Sequence, residues 1–296
     1  MKLWIKGALF AALLSGVAAV QAGPESMAQF LASQQLVESG RATFRIHCAG
    51  CHGVDAQGKG ATWSMLDPKP RNLVSGAFKF RSTSQGTLPT SQDLMRTIDQ
   101  GVLGTSMPGF PLLPMQEKYA LVAYIKSLRA DWKDKEGVAH AFPELPRKVF
   151  ENKTLLFASA FRGQKLFMEG CATCHGLSGR GDGDGAQGLV DVDNNPLKPA
   201  DLSRRFIKSG RRAQDVYKAI FTGLDGTPMP SFEGVYTPEQ IWDLTAYVFF
   251  LRGRSAGIYS PNMELSAAVV KAASDFESKP KKDLPQNNSA SDEAWE

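Results

Sequence analysis

The sequence predicts a mainly α-helical protein built from two tandem domains of similar size. The first observation is an internal repeat, because a shift of 123 residues places Gly40 on Gly163 and Phe44 on Phe167. The second is that apolar residues recur at helical spacing in both copies. A repeat of this length is too long for a solenoid unit and fits duplicated domains. The chain has 296 residues, of which 43% are hydrophobic, and this length leaves room for both domains.

The first 22 residues have the composition of an export signal. Lys2 and Lys6 flank the amino-terminal region, residues 8–20 are apolar, and Ala22 closes a small-residue cleavage pattern. The apolar run is short for a bilayer core of about 30 Å. We therefore predict a cleaved signal peptide over residues 1–22 and export to the periplasm, with an uncleaved membrane anchor as the alternative.

Helix signals divide the rest of the chain. One predicted helix begins with a Thr90 cap and ends at Gly101, and its counterpart in the second copy ends at Gly223. The last helix of the second copy begins with a Thr237 cap and Pro238 at its first position. The predicted organisation is domain 1 over residues 33–131, a linker over 132–155, domain 2 over 156–256, and a polar, disordered tail over 257–296.

The four cysteines form two C-x-x-C-H motifs, which is the attachment pattern of c-type haem. The motifs are Cys48-Ala-Gly-Cys51-His52 and Cys171-Ala-Thr-Cys174-His175. Two disulfides are the usual expectation for an exported chain with four cysteines. A zinc site would lack ligands, since only His47 and His140 lie outside the motifs. A redox dithiol would need a βαβ setting. We predict two covalently attached haem c groups.

The histidine of each motif is the predicted proximal iron ligand, because attachment of both cysteines brings it to the iron. These ligands are His52 and His175. The predicted ligands of the opposite face are Met107 and Met229, which lie 55 and 54 residues after them. Each methionine belongs to a Gly-Thr-x-Met-Pro sequence between two predicted helices. A lone methionine would indicate core packing, but only this pair is duplicated in the repeat.

Together these motifs resemble the class I cytochrome c family in its two-domain, dihaem form, over residues 33–130 and 156–253. The second copy matches better, because the first carries a Pro-rich and Phe-rich insert over residues 66–89. The resemblance implies a small helical fold around each haem. It also implies a proline carbonyl that orients the proximal imidazole. The candidates are Pro70 and Pro199, and Arg71, Arg81 and Arg204 are candidates to contact haem propionates.

Charge and composition restrict the partners. The formal charge is +4, and loss of the two leader lysines gives +2. Four ionised propionates would bring the loaded protein to about −2. This balance does not indicate nucleic-acid binding. The predicted partners are redox proteins met in brief encounters, with a membrane-bound complex as one setting. The resemblance suggests a dehydrogenase, a quinol-oxidising complex, or a terminal oxidase or reductase.

Ligation by histidine and methionine fills both axial positions and raises the reduction potential. That arrangement favours a single-electron carrier, free or as a subunit of an oxidoreductase, over an enzyme. The alternative is a dihaem enzyme resembling cytochrome c peroxidase or thiosulfate dehydrogenase. Such an enzyme would need a labile ligand, a histidine ligand or a further cysteine. The chain has no spare cysteine, and beyond His47 its leftover histidine, His140, lies in the predicted linker. A structural protein with vestigial haems is a third class that no sequence feature supports.

Overall fold

The computed structural model describes residues 24–258, 265 and 271. The predicted signal peptide and most of the predicted tail lie outside these residues. Both cysteine motifs belong to the unit of residues 36–296, which is separate from the unit of residues 1–35. In the described part of the chain, the β-type pairing consists of isolated bridges, such as Leu88 with Glu136. The fold is therefore mainly α, as predicted.

The first copy of the repeat contains four helices. They are α1 (Pro24–His47), α2 (Ala49–His52), α3 (Ser91–Gln100) and α4 (Met115–Ser127), with a 3₁₀ turn at Trp63–Met65. The predicted start and end of α3 are confirmed. The Thr90 hydroxyl accepts from the Asp93 amide and the Asp93 carboxylate accepts from the Thr90 amide. Gly101 ends the helix at a positive φ of 68°.

The second copy repeats this order. Its helices are α7 (Lys153–Gly170), α8 (Ala172–His175), α9 (Ala213–Thr222) and α10 (Pro238–Ser255), with a 3₁₀ turn at Asp184–Ala186. The predicted cap of α10 is confirmed, since Thr237 accepts from the Gln240 amide and Gln240 Oε1 accepts from the Thr237 amide at 2.8 Å. None of the described helices combines the length and the apolarity that crossing a membrane requires.

In each copy the first and last helices cross at a glycine. A Cβ atom at Gly40 would collide with the carbonyl oxygen of Ala120 in α4, and one at Gly163 would collide with that of Asp243 in α10. One turn further along, an aromatic pair joins the same helices. The rings of Phe44 and Tyr124 lie 5.1 Å apart, and those of Phe167 and Tyr247 also lie 5.1 Å apart. The repeat in sequence is thus a repeat in packing.

The segment between the two copies is ordered. It forms the short helices α5 (Trp132–Lys135) and α6 (Arg147–Glu151). Trp132 is buried against Phe78 in the first core, whereas Phe150 packs on Trp242 in the second. The predicted domain boundaries stay a prediction, but this segment contributes side chains to both cores. Leu265, within the predicted tail, is also buried in the second core.

The insert over residues 66–89 connects the two copies. The guanidinium of Arg81 has no exposed surface, donates to the carbonyl oxygen of Thr222 at 2.8 Å and lies 3.1 Å from the carboxylate of Asp225. In addition, the Ser231 amide donates to Gln85 Oε1 at 3.0 Å. The feature that makes the first copy the poorer family match therefore joins it to the second copy.

We expect Gly163→Ala to destabilise the protein by about 1–3 kcal/mol, because its methyl group would push α7 away from the α10 backbone. Gly50→Ala is the control, since a Cβ there meets no atom within 4 Å and alanine favours a helix. Urea unfolding of both variants followed by circular dichroism measures the difference. Equal midpoints for the two variants would show that the crossing tolerates a side chain.

Candidate functional site

The described residues enclose, among other spaces, two large cavities of nearly equal size, one in each copy of the repeat. Their empty volumes are about 1340 Å³ and 1290 Å³. Equivalent apolar residues form their walls. The first is lined by Leu94, Ile98 and Leu121, and the second by Val216, Ile220 and Leu244, among others. Large apolar cavities of this kind are typical of cofactor sites.

The residues of each C-x-x-C-H motif lie together on the wall of one cavity. Cys48, Cys51 and His52 line the first, and Cys171, Cys174 and His175 line the second. A single helical turn positions each set. The amide of His52 donates to the carbonyl oxygen of Cys48 at 2.9 Å, and the amide of His175 donates to that of Cys171 at 2.9 Å. Each motif thus presents its two sulfur atoms and its imidazole to the same space.

A backbone carbonyl sets the proton position on each imidazole. His52 Nδ1 lies 2.9 Å from the carbonyl oxygen of Arg71, and His175 Nδ1 lies 3.1 Å from that of Ala200. Because a carbonyl oxygen can only accept, Nδ1 carries the proton and Nε2 keeps its lone pair. A metal-ligating histidine is commonly oriented in this way.

The prediction that proline carbonyls orient the two imidazoles is therefore wrong by one residue. The carbonyl oxygens of Pro70 and Pro199 instead face Gly58 and Gly181, where an added Cβ would contact them. Both glycines have positive φ, 83° and 77°. In each copy the residue after the proline supplies the acceptor.

Burial favours the neutral form of the histidine and of the first cysteine in both motifs. Desolvation lowers the pKa of His52 and of His175, although the carbonyl hydrogen bond of each opposes the shift. Both imidazoles are therefore neutral at pH 7. Desolvation, with a smaller contribution from the second motif cysteine, raises the pKa of Cys48 and of Cys171 to about 11. Those two thiols are protonated in the unloaded chain.

The two predicted methionine ligands lie on the walls of the same cavities, Met107 in the first and Met229 in the second. A threonine organises each methionine loop. Thr105 Oγ1 donates to the Val102 carbonyl at 2.8 Å and accepts from the Met107 amide at 3.1 Å. Thr227 makes the same bonds at 2.7 and 3.2 Å. The Gly-Thr-x-Met-Pro sequence is thus a closed turn that presents the methionine.

Other residues noted in the sequence have different surroundings. His47 lines the first cavity and packs on the Phe110 ring at 5.9 Å. His140 lies 3.0 Å from the Ser84 hydroxyl through Nε2 and lines neither cavity. Arg81 is occupied at the contact between the copies, and the exposed Arg204 pairs with Asp201 at 3.2 Å. Arg71 alone among the three candidate arginines lines a cavity.

The sequence did not identify three further lining residues. Lys79 and Phe80 from the insert, and Lys208 from the loop before α9, line both cavities. For Lys79 and Phe80, the only sequence signal was that the insert breaks the repeat, and this does not indicate what the insert contacts. Lys208 had no such signal.

The residues present fit a haem group. Apart from the apolar walls, sulfur atoms and neutral imidazoles, the first cavity has a cationic side chain with one donor that makes no hydrogen bond. Arg71 Nη1 is buried and makes no hydrogen bond among the described residues. The carboxylates of Asp191 and Asp193 lie 3.9 Å from it, too far for a hydrogen bond. A buried guanidinium donor of this kind suits a carboxylate such as a haem propionate.

Comparison with known proteins finds a cytochrome and two subunits of a cytochrome c oxidase among the relatives. A stretch of 93 residues is 34% identical to cytochrome c6 of Nostoc sp., covering 31% of this chain and 71% of that protein. A stretch of 160 residues is 26% identical to the cbb3-type cytochrome c oxidase subunit CcoP of Helicobacter pylori, covering 53% of this chain and 43% of the subunit. The same subunit of Azospirillum sp. is 31% identical over 115 residues, covering 37% of this chain and 36% of the subunit. This chain thus spans less than half the length of either oxidase subunit.

A solved structure extends the likeness to most of the chain. One chain of the Kuenenia stuttgartiensis reducing HAO-like protein complex superposes with a TM-score of 0.65 and 36% sequence identity, covering 72% of this chain and 96% of that one. The family model of cytochrome c matches residues 37–129 and 160–249, which together are more than half of the sequence. With its helical fold, its two matched segments and its repeated motifs, this chain belongs to the cytochrome c family.

Proposed function

We propose that this chain is an exported dihaem c-type cytochrome that transfers single electrons between respiratory redox partners. It acts in the periplasm, free or as a subunit of an oxidoreductase complex. One observation carries the proposal: in each copy of the repeat, the two cysteines and the histidine of the C-x-x-C-H motif line the same cavity as one methionine. Such a set can attach a haem covalently and occupy both axial positions of its iron, which leaves electron transfer as its chemistry.

Each residue has a role in this proposal. The attachment residues are Cys48 and Cys51 for the first haem, and Cys171 and Cys174 for the second. The proximal ligands are His52 and His175, through Nε2, and the distal ligands are Met107 and Met229. When bound, haem iron supplies one-electron chemistry by cycling between the ferric and ferrous states.

The protein's part is to hold these ligands and to exclude water. The carbonyl oxygens of Arg71 and Ala200 keep the proton on Nδ1, so that Nε2 would be available as the iron ligand. Thr105 and Thr227 hold the methionine loops closed. Apolar walls and a thioether ligand both favour the ferrous state, because it places less net charge in a region of low dielectric.

The names of the relatives support a setting within a complex. Two are subunits of a cbb3-type cytochrome c oxidase, and the matching structure is a chain of an HAO-like protein complex. Cytochrome c6 is the relative that supports the free carrier. The proposal includes both settings, since a haem with two fixed ligands exchanges electrons in the same way in each.

Carbon monoxide binding tests the methionine ligands. We expect reduced wild-type protein to carry two haems per chain and to bind almost no carbon monoxide, because both axial positions are filled. Met229→Ala should bind one equivalent and lose half of the weak methionine-sulfur band at the red edge of the oxidised spectrum. Met65→Ala is the control, since this methionine is 77% exposed. An unchanged Met229→Ala spectrum would remove that ligand assignment.

The threonine of the methionine loop provides a second test. Thr227→Val removes the hydroxyl that bonds both the Leu224 carbonyl and the Met229 amide. Each hydrogen bond contributes about 1 kcal/mol, so after loss of both we expect added imidazole to displace Met229 at a concentration about thirtyfold lower than in wild type. Thr227→Ser, which keeps the hydroxyl, should behave as wild type. Equal imidazole titrations for Val and Ser would show that the bonds do not hold the loop.

Turnover measurements distinguish the carrier from the alternative dihaem enzyme. With no exchangeable ligand on either iron, the purified protein should neither reduce hydrogen peroxide nor oxidise thiosulfate at a catalytic rate. Small redox proteins added as electron donor and acceptor should nevertheless reduce and oxidise the purified protein rapidly. Sustained peroxide or thiosulfate turnover, followed by the absorbance of an electron donor or acceptor, would establish an enzyme in place of the carrier.

A further inference from the structure

Three side chains line both cavities at once: Lys79, Phe80 and Lys208. We call this set the shared seam. Lys79 and Phe80 come from the insert in the first copy, whereas Lys208 belongs to the second copy. The two cavities therefore adjoin at a place to which both copies contribute a lysine and the first contributes an aromatic ring.

The seam is held in position by the neighbouring residue of the insert. Arg81, directly after Phe80, is fully buried and is bound to the Thr222 carbonyl and the Asp225 carboxylate of the second copy. A second ion pair joins the copies nearby, where Arg96 Nη2 lies 2.7 Å from the buried carboxylate of Asp215. The backbone that carries Lys79 and Phe80 is thus fixed against the second copy.

The seam carries positive charge that the described residues do not neutralise locally. Neither Lys79 nor Lys208 forms an ion pair or a hydrogen bond among them, although both are half-buried. Burial, together with the charges of Arg71 and Lys208, lowers the pKa of Lys79 to about 8, and Asp191 only partly opposes this. Burial likewise lowers the pKa of Lys208, opposed by Asp67 alone. Half-buried cations in mutual repulsion are stabilised by an anion placed between them.

Resting on the proposed function, we infer that Lys79 and Lys208 are positioning residues that hold propionate groups of both haems at the shared seam, so that each lysine charge acts on both irons. The propionate groups of a haem in either cavity would supply the anions that neutralise Lys79 and Lys208. One positive charge near two irons stabilises the ferrous state of each, and therefore raises both reduction potentials together.

The experiment measures the two midpoint potentials of the holoprotein separately. Nuclear magnetic resonance resolves the haems in the reduced state, because the porphyrin ring current shifts the methyl signal of each axial methionine far upfield. The test variants are Lys79→Gln and Lys208→Gln, which remove the charge and retain a polar side chain. Matched controls are Lys69→Gln and Lys198→Gln, since Lys69 lines only the first cavity and Lys198 only the second.

We expect Lys79→Gln and Lys208→Gln each to lower both potentials, and the double variant to lower them further. Each control should lower one potential at most. Lys79→Arg keeps the charge and should retain both wild-type potentials, which a purely structural role of the side chain would not predict. Haem content and circular dichroism verify that each variant is folded and loaded.

Two results would overturn the inference, and they are distinguishable. If the wild type shows two shifted methionine signals but each lysine variant alters one potential only, the lysines serve single haems and the seam is not shared. If the wild type lacks the two signals, the ligand assignment of the proposed function fails, and the inference fails with it.

Discussion

The close crossing of the first and last helices of each copy is the contact on which both cavities depend. Helix α1 leads directly into Cys48, and α4 follows the loop that carries Met107. Gly40 lets the α4 backbone approach so closely that a side chain would collide with it. The crossing therefore sets the separation between the cysteine side and the methionine side of the cavity. Gly163 does the same in the second copy, between α7 and α10.

The duplication is not two independent domains in a row. The segment over residues 132–155 places Trp132 in one core and Phe150 against the other. The insert buries Arg81 between the copies, where desolvation lowers its pKa and Asp225 opposes the shift. The cost of burying this guanidinium is offset by the partners of Nη2, which are the Thr222 carbonyl and the Asp225 carboxylate. The relative position of the two cavities thus rests on a specific polar contact, and the shared seam follows from that contact.

The electrostatics of the two regions are opposite and complementary. Around each motif, burial keeps the imidazole neutral and raises the pKa of the first cysteine, and the neighbouring side chains are apolar. At the seam, the cations Lys79 and Lys208 lie close together, and the charge of Arg71 adds to their repulsion. A haem has this same division, with an apolar macrocycle around the iron and anionic groups at one edge. The proposed function and the coupling of two haems are therefore based on the same charge distribution.

The sequence alone determined the features that depend on local spacing: the repeat, the caps of α3 and α10, the cysteine motifs, and the choice of Met107 and Met229 as the duplicated methionines. Helical periodicity and capping act over three or four residues, so a linear pattern contains them. Tertiary structure decided what depends on chain direction and distant contacts. It selected the carbonyl of Arg71 over that of Pro70, ordered the linker, and brought Lys79 to Lys208. Packing between distant segments sets these contacts, and no short-range pattern specifies them.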